Sequence, residues 1–256
     1  MKIPDMDTGK RFLVAAFLVF ELLLVGLSLW PVVVFVQYYA SASRTAASWA
    51  VILIGAVVLF NYSYAVLLLL VRIVLPKPPE GFFPRQPDGR PPREALLLMM
   101  NLLLVKARFH TPWSSMITSL ITNIFPLAGP FRHFFGPHTR TVTMGDVYVC
   151  LDPYLMTAGS NVQFGFDCLI ICHLFDNRGL LIRGVSIGDD AVVGGKSLIM
   201  PGVTIGHHAV VGARSLVATG TDIKPYEFWA GTPARKIRDI QPQDAMSMDQ
   251  DQRASG

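Results

Sequence analysis

The chain has 256 residues, of which 52% are hydrophobic and only 16% charged, and its formal net charge is +4. This length allows one large or two small domains, and the low charge content is unusual for a chain that is soluble throughout. Lysine and arginine flank the apolar segments without forming a long basic run, so the charge favours an anionic membrane surface over nucleic acid as partner.

Two apolar segments dominate residues 1–75. They cover residues 12–36 and 47–71, and their only charged side chain is Glu21. Each exceeds the roughly 20 residues that a helix needs to cross about 30 Å of hydrocarbon, so we predict a two-helix transmembrane hairpin. A cleaved signal peptide is the less favoured alternative, because the first segment is longer than a signal core and a second one follows.

Basic residues predict how this hairpin is oriented. Three precede the first segment, one lies between the two, and five follow the second: Lys2, Lys10 and Arg11; Arg44; Arg72, Lys77, Arg85, Arg90 and Arg93. The positive-inside rule places both ends in the cytoplasm, beneath the inner or cytoplasmic membrane. Glu21 either packs in a helix contact, paired or protonated, or contacts a substrate.

The next two segments differ in composition. Residues 76–93 include seven prolines, which remove backbone donors and favour extended backbone, so a linker or a membrane-surface strap is predicted. Residues 94–135 begin with an apolar helix over 94–108 that is too short to span a bilayer. Helices that lie in the membrane interface or pack on the following domain are predicted there.

An aliphatic residue returns every six positions in the second half of the chain: Ile187, Val193, Ile199, Ile205, Val211, Val217 and Ile223. Small or β-branched residues stand four positions later, and glycine often follows the aliphatic directly. A period of six predicts a three-sided solenoid with three short strands per 18-residue coil, one aliphatic per face, and glycine at the turns.

This repeat resembles that of the hexapeptide-repeat acyltransferases, and the ending FWAGTPARKIRDI at Phe228–Ile240 is similar to the family's closing G-x-P-A-[RK] turn. The resemblance implies that residues 136–240 form an all-β left-handed parallel β-helix. It also implies a homotrimer that uses acetyl-CoA or another acyl-CoA as co-substrate, with no permanently bound cofactor. Joined to a membrane hairpin, the domain is similar to the membrane-embedded hexapeptide domains of poly-amino-acid synthetases.

One interruption of the period marks a candidate active site. Phe164 and Ile187 lie 23 residues apart, which is not a multiple of six, and the predicted insertion is Cys172–Gly184. The resemblance implies that a loop histidine acts as general base, and we assign this role to His173. Asp176 is the predicted partner that orients the imidazole, and a histidine that only caps a turn is the alternative.

The resemblance also suggests contacts for coenzyme A. Lys196 and Arg214 lie one coil apart, where like charges repel unless they are screened or face an anion. The candidate contacts are these two residues, the preceding glycines and two basic residues near the end of the repeat: Lys196, Arg214, Gly194, Gly212, Arg235 and Lys236. Solvated edge charges are the alternative.

Other histidines and the cysteines are predicted to be structural. Asp189 and Asp190 lie 18 residues before His207 and His208, so edge electrostatics between neighbouring coils explains both pairs. A zinc site would need three histidines on neighbouring coils or subunits, and the spacing does not favour it. The three cysteines lack metal-type spacing and are predicted to be reduced thiols: Cys150, Cys168 and Cys172.

The sequence therefore predicts a membrane-anchored acyltransferase whose acceptor is a hydroxyl or amine presented at the membrane, such as a lipid-linked sugar, a lipid headgroup or an amphipathic peptide. Two alternatives stay open: a noncatalytic trimeric membrane scaffold, and an aminoacyl- or peptidyl-transferring domain of the synthetase type. The polar residues 241–256 are predicted to be a disordered tail.

Overall fold

The computed structural model describes residues 6–41, 45–87, 91–107, 127–136, 138–139 and 148–241. The chain divides into two compact units. The first comprises residues 1–76 and 103–134, and the second comprises residues 77–102 and 135–256. Arg44, Arg90, residues 108–126 and nearly all of the predicted tail lie outside the described residues.

Two long helices, α1 (Met6–Ala40) and α2 (Ala46–Val74), form most of the first unit. Thr45 caps α2 by accepting a hydrogen bond from the Ser48 amide, while the Ser48 hydroxyl accepts one from the Thr45 amide. These reciprocal bonds satisfy amide donors that the first turn leaves unpaired. The helix ends before Pro76, whose ring disfavours helical backbone at Leu75.

Most side chains along these helices do not pack inside the unit. In the most apolar part of α1 only 11% of the residues are buried, and in that of α2 only 33%. Both helices are long and apolar enough to cross a membrane. They approach closely at Gly55, where an added Cβ would lie 2.8 Å from the Phe35 ring.

The second unit is a coil of short strands that belong to three sheets, and each turn of the coil contributes one strand to each sheet. The first sheet contains β2 (His138–Thr139), β4 (Met156–Ala158), β9 (Val185–Ile187), β12 (Thr204–Ile205) and β15 (Asp222–Ile223). The second contains β5 (Gln163–Phe164), β10 (Val192–Val193), β13 (Val210–Val211), β16 (Glu227–Gly231) and β17 (Ala234–Asp239). The third contains β3 (Tyr148–Cys150), β6 (Cys168–Ile170), β11 (Leu198–Ile199) and β14 (Leu216–Val217).

The predicted six-residue period is confirmed in the register of these strands. Val193 pairs with Val211, Ile199 with Val217, and Ile205 with Ile223, each 18 residues apart in parallel strands. All seven aliphatics of the period are buried in one continuous core. The small residues beside them are buried as well, and the Ser197 hydroxyl donates a hydrogen bond to the carbonyl of Gly212 in the next coil.

The predicted role of glycine at the turns is wrong. Left-handed backbone occurs three residues after each aliphatic, and side chains occupy most of these corners: Asp190, Lys196, His208, Arg214 and Tyr226. The glycines directly after the aliphatics are required by crowding. A Cβ on Gly194 would lie 2.4 Å from the backbone nitrogen of Ala213 in the next coil.

The triangular section gives each coil three corners. The first corner, between the first and second sheets, carries Asn161, Asp190, His208 and Tyr226. The second corner, between the second and third sheets, carries Asp167, Lys196 and Arg214. The third corner returns to the first sheet and carries Gly202 and Gly220 in the later coils.

An insertion interrupts the third corner of the earlier coil. Residues Phe164 and Val193, which pair between neighbouring coils, lie 29 residues apart instead of 18, so the insertion adds 11 residues. It forms an antiparallel hairpin of β7 (His173–Phe175) and β8 (Gly179–Ile182). The predicted insertion at Cys172–Gly184 contains this hairpin.

The proline-rich segment contributes a strand of its own. Residues Gly81–Pro84 form β1, which pairs antiparallel with β8 and completes a three-stranded sheet. Helix α3 (Arg93–Ala107) places Ala95 and Leu98 against Leu180 and Ile182 of the hairpin. The beginning of α3 is therefore a packing helix. A last short helix, α4, covers Ala128–Phe135.

Candidate active site

The hairpin carries His173 at the start of β7, and its turn is closed by Asp176. The Asp176 carboxylate accepts hydrogen bonds from the backbone amides of Arg178 and Gly179, at 2.8 and 3.0 Å. It also pairs with the Arg178 guanidinium at 2.7 Å, which lowers the pKa of Asp176. This residue therefore shapes the turn, which is the usual role of aspartate in such loops.

The His173 imidazole is held by Asp152. Its Nδ1 lies 2.7 Å from Oδ2 of Asp152, a residue that is fully buried in the segment after β3. Because an ionised carboxylate only accepts hydrogen bonds, Nδ1 carries the hydrogen and Nε2 is left with its lone pair. The His173 side chain is 12% exposed, so this pair stands at the edge of the core.

Asp152 is a well-satisfied buried carboxylate. Besides His173, it accepts hydrogen bonds from the backbone amide of Cys172 at 3.0 Å and from the Tyr154 hydroxyl at 3.1 Å. Pro153–Leu155 forms a short 3₁₀ turn directly after it, and the Leu155 amide bonds back to the Asp152 carbonyl. These contacts fix the carboxylate before it meets the imidazole, which is what a buried charge requires.

The cysteines near this pair remain thiols. A hydrogen bond with Cys172, burial and the nearby Asp152 charge together raise the pKa of Cys150. Burial raises the pKa of Cys168 to about 11. All three cysteines are free, as predicted. Nucleophilic chemistry needs a thiolate, so none of them fits that role at neutral pH.

The prediction that Asp176 orients His173 is wrong, because Asp176 is engaged by Arg178 while Asp152 takes that place. Asp152 was missed because it comes from the preceding coil, 21 residues before His173. One signal was present: Cys150 pairs with Ile170 across these two coils, so the same offset brings residue 152 beside residue 172.

The candidate contacts for coenzyme A are not gathered around His173 in one chain. Lys196 and Arg214 lie on the second corner, whereas the hairpin belongs to the third. Within the described residues, neither has a carboxylate ion pair. Gly194 and Gly212 are explained by coil spacing, since a Cβ on Gly212 would lie 2.9 Å from that of Ala230.

The two terminal candidates also differ from each other. Lys236 pairs with Glu227 at 2.8 Å and with Asp239 at 2.7 Å, and these carboxylates raise its pKa. Its charge is therefore largely neutralised within the chain. Arg235 is exposed on β17 and bonds weakly to the Ala234 carbonyl at 3.4 Å.

The paired histidines of the first corner interact with neighbouring coils. His208 Nε2 lies 3.7 Å from Asp190, and its ring stacks on Tyr226 with centroids 4.8 Å apart. His207 bonds to His208, while Asp189 accepts a hydrogen bond from the Ser160 amide instead of lying against His207. The edge-electrostatic prediction thus holds for one pair. Among the described residues, no group of three or more His, Cys, Asp or Glu could hold a metal ion.

Comparison with known proteins identifies the repeat. Residues 184–219 match the family model of the bacterial transferase hexapeptide, described as six repeats. The match falls on the regular coils, as the sequence resemblance predicts. The chain therefore carries the hexapeptide repeats of the bacterial transferase family. No curated protein matches the chain.

Solved structures with partial likeness include a galactoside acetyltransferase in complex with coenzyme A, 21% identical, with a TM-score of 0.42 over 59% of this chain and 82% of that one. A maltose O-acetyltransferase from Clostridium difficile 630 is also 21% identical, with a TM-score of 0.41 over 57% of this chain and 86% of that one. A hexapeptide transferase family protein from Anaplasma phagocytophilum is 23% identical, with a TM-score of 0.31 over 38% of this chain and 51% of its own length. The chain thus spans only about half of that last protein, and these likenesses carry no argument about activity.

Proposed function

We propose that this protein is a membrane-anchored acyltransferase that moves an acyl group, by default acetyl, from acyl-CoA to a hydroxyl or amine of a membrane-associated acceptor. The observation that carries the proposal is the His173–Asp152 pair at the insertion in a hexapeptide coil. Histidine held by a buried carboxylate, with Nε2 free to accept a proton, is the arrangement of a general base.

The chemical step follows from that geometry. His173 Nε2 removes the proton from the acceptor O–H or N–H as that atom attacks the thioester carbonyl carbon. The tetrahedral intermediate then collapses, the carbon–sulfur bond breaks, and the imidazolium returns the proton to the departing thiolate of coenzyme A. Asp152 stabilises the transient imidazolium and keeps the ring in the required tautomer.

A homotrimer of left-handed β-helices, as the family resemblance implies, would bring the separated candidates together. One subunit's hairpin would then face the second corner of its neighbour, where Lys196 and Arg214 offer two positive charges to the phosphates of coenzyme A. Arg235 is a further candidate on β17. Their lack of carboxylate partners among the described residues supports this part of the proposal.

Membrane anchoring is supported by the exposed apolar side chains of α1 and α2. Leu22, Trp30 and Val51 are each about 70% exposed, which is unfavourable in water and expected in lipid. The basic residues on both flanks favour a cytoplasmic catalytic domain. An anchored enzyme of this kind acts on an acceptor that the membrane itself presents.

The test is release of coenzyme A from acetyl-CoA by the full chain in native-like membranes, followed with a thiol reagent and a panel of lipid, lipid-linked sugar and peptide acceptors. We expect His173→Ala to lower the acceptor-dependent rate by about 100-fold or more. Asn177→Ala, in the same hairpin turn, is the control. Equal rates for wild type and His173→Ala would reject the enzyme and favour the noncatalytic scaffold.

A further inference from the structure

The hairpin that carries His173 has too few contacts of its own to be rigid. Its strands have three and four residues, and its turn is held by Asp176 alone. A two-stranded hairpin of this size is at best marginally stable unless a third strand or a helix supports it. The precision that a general base needs must therefore come from elsewhere.

Strand β1 supplies the third strand. Gly81, Ile182 and His173 lie in one row across the sheet, because Gly81 pairs with Ile182 and Ile182 with His173. Beyond this pairing, the Arg85 amide donates to the Arg178 carbonyl at 2.8 Å. At Gly179 a Cβ would lie 2.2 Å from the Phe83 carbonyl oxygen, so glycine is required for this close approach.

Glu80 fixes the end of the hairpin where it rejoins the coil. Its Oε2 accepts a hydrogen bond from the Gly184 amide at 2.8 Å. Gly184 is also pressed against the coil, since a Cβ there would lie 2.8 Å from the Leu155 carbonyl oxygen. The same 3₁₀ turn that contains Leu155 follows Asp152 directly. Glu80 thus clamps the hairpin base beside the segment that holds the imidazole.

We propose that Glu80 and β1 together are a positioning element for His173, an inference that rests on the proposed acyl transfer. Glu80 does not touch the reacting atoms and acts through Gly184 and β8. Only five residues separate Glu80 from Leu75, where α2 ends, so the segment that leaves the second apolar helix is built into the active site. The chain between anchor and enzyme is a structural part of the catalytic apparatus.

The first test compares Glu80→Ala with Glu80→Gln in the full chain. The amide oxygen of glutamine can accept the same hydrogen bond, so Glu80→Gln should keep kcat within about twofold of wild type. Glu80→Ala should lower kcat about 10-fold while the KM for acetyl-CoA stays within about twofold, because misplacing a base slows the step without weakening binding. Asp222→Ala, which removes an exposed carboxylate elsewhere in the coil, is the matched control.

A double-mutant cycle separates positioning from general support. If Glu80 acts through His173, adding Glu80→Ala to His173→Ala should leave the residual rate unchanged. A further 10-fold loss in that background would overturn the inference, as would a Glu80→Ala enzyme with wild-type kcat. An inactive wild type would instead refute the proposed function, so the two failures are distinguishable.

Discussion

The regular coils between Val185 and Ile223 and the hairpin between Cys172 and Gly184 belong to one β-helix but are specified in different ways. Each coil repeats the contacts of its neighbour, with one aliphatic per face at an 18-residue register. The hairpin depends on segments that are distant in sequence: β1, α3 and Asp152. Repetition builds the scaffold, and its interruption, supported from outside the repeat, holds the candidate chemistry.

The largest expected effect concerns the interrupted coil. Asp152→Asn should lower kcat by about 100- to 1,000-fold, because an amide nitrogen facing Nδ1 forces the hydrogen onto Nε2 and removes the base. Acceptor-dependent release of coenzyme A measures this, with a melting curve to confirm that the variant is folded. Asp176→Asn is the matched control and should change kcat by less than about threefold. Similar losses for both variants would contradict the assignment of Asp152.

In the regular coils the expected effect is on stability and not on chemistry. Ile205→Ala should lower the free energy of unfolding by about 3 kcal/mol, because the cavity lies in a core that stacks on Ile187 and Ile223. Thr204→Ala, on the exposed face of the same strand, should cost less than about 0.5 kcal/mol. Denaturant unfolding in detergent measures both, and equal losses would argue against a continuous axial core.

The two kinds of corner residue can be tested against each other. Gly194→Ala should cost about 1–3 kcal/mol, since its Cβ would collide with the backbone of the next coil. Lys196→Gly should change stability by less than about 1 kcal/mol, because glycine also adopts its left-handed backbone. If Lys196→Gly proved the more damaging variant, crowding would not explain the glycines.

The smallest expected effect concerns pH at the end of the coil. Lys236, together with hydrogen bonds from Trp229 and the Lys224 amide, lowers the pKa of Glu227 below its ordinary value near 4.5. A lowered carboxylate pKa stabilises the fold at neutral pH, and this contribution is lost as the pH falls through the lowered value. Thermal unfolding between pH 7 and pH 3 should therefore depend less on pH in Glu227→Gln than in wild type. An unchanged dependence would show that Glu227 contributes little.

The contrast between the regions also explains what the sequence could predict. Ile187 to Ile223 repeat a local pattern, so the sheets, the core and the place of the insertion follow from counting. The corner of each residue follows from the same counting modulo 18, which separates Lys196 from the hairpin. Asp152 and Glu80 were not predictable in this way, because each reaches the hairpin through tertiary packing that no period encodes.

Transfer of radiolabelled acetyl from acetyl-CoA into membrane-extractable product tests the central claim most directly. Membranes carrying the wild-type chain should accumulate label in the organic phase, while membranes with equal amounts of folded His173→Ala protein should remain at the level of membranes without the protein. Equal labelling by wild type and His173→Ala would contradict the claim that this hairpin provides the base for acyl transfer to a membrane acceptor.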